Sequence, residues 1–238
     1  LIDIILALIA AVLAITLHEA AHGYAALAMG DDTAKRAGRL SLNPLRHVDR
    51  MGTVILPLVL AVTQLLTLGR IAFMFGWAKP VPVSAWRFHN PRRAMMVVAA
   101  AGPAMNFLLA FLATIALVAL YPDAQVDDEQ RLISFAMAFI QFNIVLGVFN
   151  LLPIPPLDGG RVVVGLLPEA LAVQWAKIER YGIVVVILLV FILPEASRDF
   201  GWKIDPVGMV LNQALPWLMQ LDLEAALWTV NLFGGGNE

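Results

Sequence analysis

His18, Glu19 and His22 form an H-E-x-x-H pattern. On a helix, residues four apart lie on one face, one turn above the other, so two imidazoles can hold one zinc ion. Glu19 is rotated by ~100° from His18 and cannot easily share their face. It can still reach a water at the metal and act as a general base. Such a zinc usually takes three protein ligands and keeps one position for water. Asp158, beside Gly159 and Gly160 after a proline-rich loop, is the candidate third ligand. Asn150, eight residues earlier, could donate to an oxyanion or a substrate carbonyl.

These groups sit in lipid-type sequence, where ionisable side chains are costly and mark function. The chain has 238 residues, of which 60% are hydrophobic and 14% charged. A soluble domain is usually near a quarter charged, so the composition indicates a multi-pass membrane protein. The net charge of −2 suggests no nucleic-acid partner. With no cysteine present, disulfides and thiolate metal sites are excluded.

The elements that must position the site follow from the apolar runs. Residues 1–29 read as a helix ended by Gly30. At ~1.5 Å per residue, His18 lies roughly 25 Å along it, toward the far side of a ~30 Å core. Further membrane helices are expected at 94–120, 132–152 and about 169–193. The tail 206–233 is amphipathic and could cross or lie in the interface. Loops 31–50 and 70–93 are basic and read as cytoplasmic, whereas 121–131 is acidic and reads as external. Loop 153–181 reads weakly as internal. Run 51–68 is therefore expected to be a re-entrant hairpin bent near Pro57. That parity makes the first helix and 132–152 parallel, which brings the histidines and Asp158 to a similar depth, on the cytoplasmic side. The expected fold is an all-α polytopic membrane protein of about five to six embedded helical segments. A small membrane-associated β-hairpin or strand and the re-entrant hairpin complete it.

The strand is expected at 75–83. Pro80 and Pro82 remove N–H groups from one edge and leave the other able to pair. Trp77, Lys79, Val81 and Val83 could then receive an extended substrate by strand addition, or the segment could be a plain surface hairpin. Asn106 is open to two uses, substrate contact or interhelical hydrogen bonding. His47 and His89 read as solvated loop residues. The basic loops could also hold anionic headgroups.

Together these segments resemble the site-2 protease family of intramembrane zinc metalloproteases. The matching stretches are His18-Glu19-Ala20-Ala21-His22, Gly102-Pro103-Ala104-Met105-Asn106, and Asn150 through Pro153-Ile154-Pro155-Pro156-Leu157-Asp158-Gly159-Gly160. Gly38 to Pro44 and Trp77 to Val83 look like the compact bacterial and archaeal branch. Residues 1–165 would be the catalytic core, and 166–238 would add membrane or interfacial helices to the same domain. The resemblance implies one Zn2+ on His18, His22 and Asp158, with Glu19 activating water and Asn150 assisting at the scissile carbonyl. It implies cleavage within transmembrane segments of other proteins, in the cell membrane. No PDZ-like or nucleotide-binding insertion is seen, so gating is expected from the membrane segments or a regulatory membrane partner. A divalent-metal transporter using the same His/Glu/Asp cluster is the alternative; transporters tend to show internal repeats, and none is seen.

Overall fold

The apolar opening run folds as one helix, α1 (Ile2–Ala28). Gly30 ends it in a left-handed conformation (φ 100°), which an L side chain rarely adopts. The computed structural model describes residues 2–70, 76–121 and 130–234. Within them, α2 is Leu56–Leu68, α3 Pro91–Leu120, α4 Gln130–Leu151, α5 Asp158–Leu166, α6 Glu169–Ile178 and α7 Pro206–Gly234. No strand occurs among the described residues. Among the described residues, four helices are long and apolar enough to cross a membrane: α1, the run Arg50–Thr67, α3 and α4. The expected count of five to six embedded segments is not supported by these four.

The core is a three-helix arrangement. His18 and Asn106 meet, as do His22 and Val98, so α3 runs antiparallel to α1. Ala110 clusters with Ile140, and Asn106 bonds Asn143, while Asp158 beyond the end of α4 lies at the histidines. Thus α4 runs antiparallel to α3 and parallel to α1. Asn90 caps α3 through its side chain, accepting from the Arg93 N–H, and Pro91 takes the first turn, where no donor is needed. On the other flank α7 packs against α3 and α4 through Leu211, Ala214, Leu215 and Leu218.

Two expected elements differ. Run 51–68 is one uninterrupted helix, not a hairpin bent at Pro57. A π-helical turn, Arg50–Ile55, precedes Pro57, and its widened hydrogen bonding accommodates the missing proline N–H. The reversal comes after Leu68, where Gly69 is left-handed (φ 67°). Trp77 N–H then donates to Gly52 O at 3.2 Å, so the chain returns to where this helix begins. The segment expected near 169–193 is not one span either. It breaks at Glu179–Tyr181, and the part beyond runs helically through the π-turn Leu188–Ile192 to Asp199. Lys177, Glu179 and Arg180 oppose continuous burial in lipid there.

Segment 76–84 is extended but forms no ladder, because its donors go to three different places. The N–H groups of Trp77, Lys79 and Val81 reach Gly52 O, His47 O and Glu19 Oε2 respectively. The edge expected to stay open is therefore committed within the chain. Residue 75, the start of the expected strand, and 122–129 of the acidic loop lie outside the described residues.

Just beyond α1, fully buried Asp31 ties the helix end to this segment. It accepts from the Ser84 N–H at 2.6 Å, the Thr33 N–H at 3.0 Å and the Thr33 hydroxyl. Burial pushes its carboxyl up, but these bonds, with Arg87 nearby, hold it below the usual carboxylate range. Its contribution is complete above the unfolded pKa of about 4 and is lost as pH falls through the lower folded value. The thermal unfolding temperature in detergent should therefore fall from about pH 6 to pH 3 more steeply for the native chain than for Asp31→Asn. Equal slopes would contradict this role.

Candidate metal centre

His18, His22 and Asp158 converge into one buried group. Their ligand atoms all lie within 4.8 Å of one another. His18 Nε2 and His22 Nε2 are 3.1 Å apart, and Asp158 Oδ2 is 3.1 Å from the first and 3.3 Å from the second.

Each position has a local cause. The histidines share a face of α1 by their spacing. Gly102 of α3 lies directly beneath them: a Cβ there would stand 2.5 Å from the Cε1 and Nε2 of His22 and 2.6 Å from Cε1 of His18. Any side chain at 102 would displace the rings. Asp158 opens α5, and the two glycines after it permit close packing. A Cβ on Gly159 would collide with the carbonyls of Leu151 and Leu152, and one on Gly160 would stand 2.6 Å from Pro155 N. Glycines here let α5 fold back on the end of α4, and that fold carries the carboxylate to the histidines.

Hydrogen bonding sets the chemistry of the group. His22 Nδ1 faces Val98 O at 2.7 Å, and a carbonyl only accepts, so Nδ1 carries the proton. His18 Nδ1 faces Asn106 Oδ1 at 2.6 Å, with the same consequence. Both Nε2 atoms therefore present lone pairs toward a carboxylate oxygen, Asp158 Oδ2, which is buried with no donor of its own. Three acceptors facing one another call for a cation. Their separations of 3.1, 3.1 and 3.3 Å are close to the edge, about 3.3 Å, of a tetrahedron with ~2.0–2.1 Å bonds. The donor set and its spacing fit a divalent metal of zinc type.

Glu19 is half-buried beside the pair, and its Oε2 accepts the Val81 N–H at 3.2 Å. Asn150 directs its Nδ2 to Leu146 O at 3.0 Å in its own helix. Asn106 is fully buried and spends its amide inside the bundle, accepting from His18 and donating to Asn143 Oδ1 and Ala14 O. Interhelical hydrogen bonding is thus the use its amide makes here. Val83 packs against the Ala26, Phe88, Ala94 and Val98 cluster. Val81 is buried against Gly23, while the Trp77 ring lies over Gly52 and stays exposed. The N–H groups of Trp77, Lys79 and Val81 are already bonded within the chain, so that edge is not free for strand addition in this arrangement. His47 is buried, not solvated, and bonds Ser41 O through Nε2 at 2.8 Å, while His89 is exposed. Sequence reasoning passed over Asn143, although an amide in an apolar helix is the signal that singled out Asn106 and Asn150.

A bundle of apolar helices enclosing an H-E-x-x-H pair and a carboxylate defines a multi-pass membrane metalloprotease. The model of Peptidase family M50 matches residues 121–193. The chain is 39% identical over 189 residues to Putative zinc metalloprotease YwhC of Bacillus subtilis, covering 78% of this chain and 80% of that one. It is 31% identical over 190 residues to Putative zinc metalloprotease Rip2 of Mycolicibacterium smegmatis, covering 79% and 67%. No solved structure matches. The chain belongs to Peptidase family M50 and is a metalloprotease.

Proposed function

We propose that the chain is a zinc endopeptidase that hydrolyses a peptide bond within or near the transmembrane segment of other membrane proteins. The observation that carries this reading is the convergence of two imidazole lone pairs and a donor-less carboxylate, beside Glu19, on a helix fit to cross the membrane. His18, His22 and Asp158 would hold the metal. Zinc, when bound, supplies Lewis acidity to the scissile carbonyl and lowers the pKa of the attacking water. Glu19 takes the proton from that water and passes it to the leaving amine. Asn150, turned away from Leu146 O, would donate to the scissile carbonyl. The substrate segment must unwind first, since a helical peptide bond is shielded by its own turn.

The site faces the cytoplasm in this reading. Basic residues of loops 31–50 and 76–93 cluster at the end of α1 and the start of α3, and such loops stay inside. Partners are then a single-span protein substrate, the surrounding bilayer and, for control, a regulatory membrane protein. Chain and substrate co-reconstituted in liposomes test the reading. Cleavage should accompany one zinc per chain, stop when a chelator strips the metal, and return on adding zinc. Undiminished cleavage by metal-free chain would refute it.

A further inference from the structure

We propose that Asn143, in the middle of α4, is a positioning residue that fixes the proton of His18 through Asn106. Asn143 is fully buried in an apolar helix, so both ends of its amide must be satisfied. Its Nδ2 donates to Phe139 O at 2.8 Å in its own helix. That carbonyl can only accept, so the amide cannot turn over, and Oδ1 is forced to face α3. There it accepts from Asn106 Nδ2 at 2.8 Å. Asn106 must then present Oδ1 to His18 Nδ1, which it does at 2.6 Å. His18 therefore carries its proton on Nδ1 and turns its Nε2 lone pair to Asp158. One backbone carbonyl of α4 thus directs a line of three side chains ending at the candidate metal ligand, in the same sense as the longer 3.4 Å bond from Asn106 Nδ2 to Ala14 O.

His22 has a different arrangement. Its Nδ1 bonds the Val98 backbone carbonyl directly, and no side chain needs to be oriented. Only His18 depends on an amide that could face either way. Without Asn143, only the longer 3.4 Å bond from Asn106 Nδ2 to Ala14 O is left to hold the amide against turning. An Nδ2 facing His18 would require a lone pair on Nδ1, which moves the proton to Nε2 and removes the lone pair that a metal needs.

This inference rests on the zinc reading and adds a residue to it. The test uses the full chain in detergent, labelled with 15N in its 4 histidines. Nitrogen NMR of the metal-free protein distinguishes a protonated from a lone-pair Nδ1, and chelator competition gives the zinc affinity. Native chain should show a protonated His18 Nδ1. Asn143→Leu should shift His18 Nδ1 toward the lone-pair form, leave His22 unchanged, and weaken zinc about 10–100-fold, the range of outer-sphere substitutions. Asn143→Ala, which adds no bulk between α3 and α4, reads the same signal should the leucine variant not fold. The decisive arm is Asn106→Asp in the Asn143→Leu background. A carboxylate accepts from Nδ1–H whichever way it turns, so the double variant should recover the protonated Nδ1 and most of the affinity. In the native background the same aspartate would face Asn143 Oδ1, so that single variant should bind zinc more weakly than the double. A purely structural role for Asn143 would give no recovery, and that result overturns the proposal. An unchanged His18 Nδ1 in both Asn143 variants also overturns it, while leaving the zinc reading intact. A native chain that binds no zinc defeats the zinc reading instead.

Discussion

Glu19→Gln is expected to keep its zinc and to lose cleavage by about 10²–10⁴-fold, the usual contribution of a positioned acid–base group. The midpoint of that range corresponds to about 4 kcal/mol of transition-state stabilisation. The substitution isolates the proton-transfer role because everything else about the residue survives. Glutamine has the same shape and length. Its Oε1 can still accept the Val81 N–H, so segment 76–84 stays anchored to α1. It supplies no atom to the His18–His22–Asp158 group, so metal affinity should change little. What it cannot do is take a proton from water at neutral pH. Zinc content near one per chain, with cleavage reduced at saturating substrate, is the expected pair of measurements. Cleavage within a few-fold of the native rate would remove Glu19 from the mechanism.

Asp158→Asn should act in the opposite order, on the metal first. The amide keeps the size of the side chain and the fold of the Gly159–Gly160 turn. It replaces an anionic oxygen by a neutral one, and its NH2 can donate to a histidine Nε2, filling the space a cation would take. Affinity should fall by more than the ~10–100-fold typical of residues that only support a ligand. Cleavage at low zinc should disappear, and excess zinc should restore part of it. Partial rescue separates a ligand from a proton carrier, since no amount of zinc should restore Glu19→Gln. One retained zinc per Asp158→Asn chain after exhaustive chelation would remove Asp158 from the ligand set.

Much of this centre can be read from local spacing. His18 and His22 are one helical turn apart, and no tertiary information is needed to put them on one face. The convergence of Asp158 required one further step, the parity of the crossings. The sidedness of charged loops supplied it, and the packing of α1, α3 and α4 has that parallel sense. The position of the reversal after 51–68 was harder. Pro57 suggested a bend, but a π-helical turn absorbed the proline, and Gly69 marks the turn instead.

Other features depend on rotations that the sequence does not encode locally. α1, α3 and α4 are apolar nearly all round, so hydrophobic periodicity does not say which face meets which neighbour. Asn106 could face substrate or another helix, and only the assembled bundle sets it between His18 and Asn143. The same limit hid Asn143 itself. Segment 76–84 was legible as extended from Pro80 and Pro82. Its partners were not, because Gly52, His47 and Glu19 come from three separate stretches of chain. The break near Glu179 was visible as a charge cluster, yet the apolar run after it disguised it as one helix.

Mass-spectrometric mapping of the bond cut in a single-span substrate, by zinc-loaded chain in liposomes, tests the central claim most directly. The account predicts a cut inside or at the edge of the apolar span, present with native chain and zinc, and absent with Glu19→Gln or after chelation. A cut confined to the soluble portions of the substrate, or one made equally by Glu19→Gln, would contradict it.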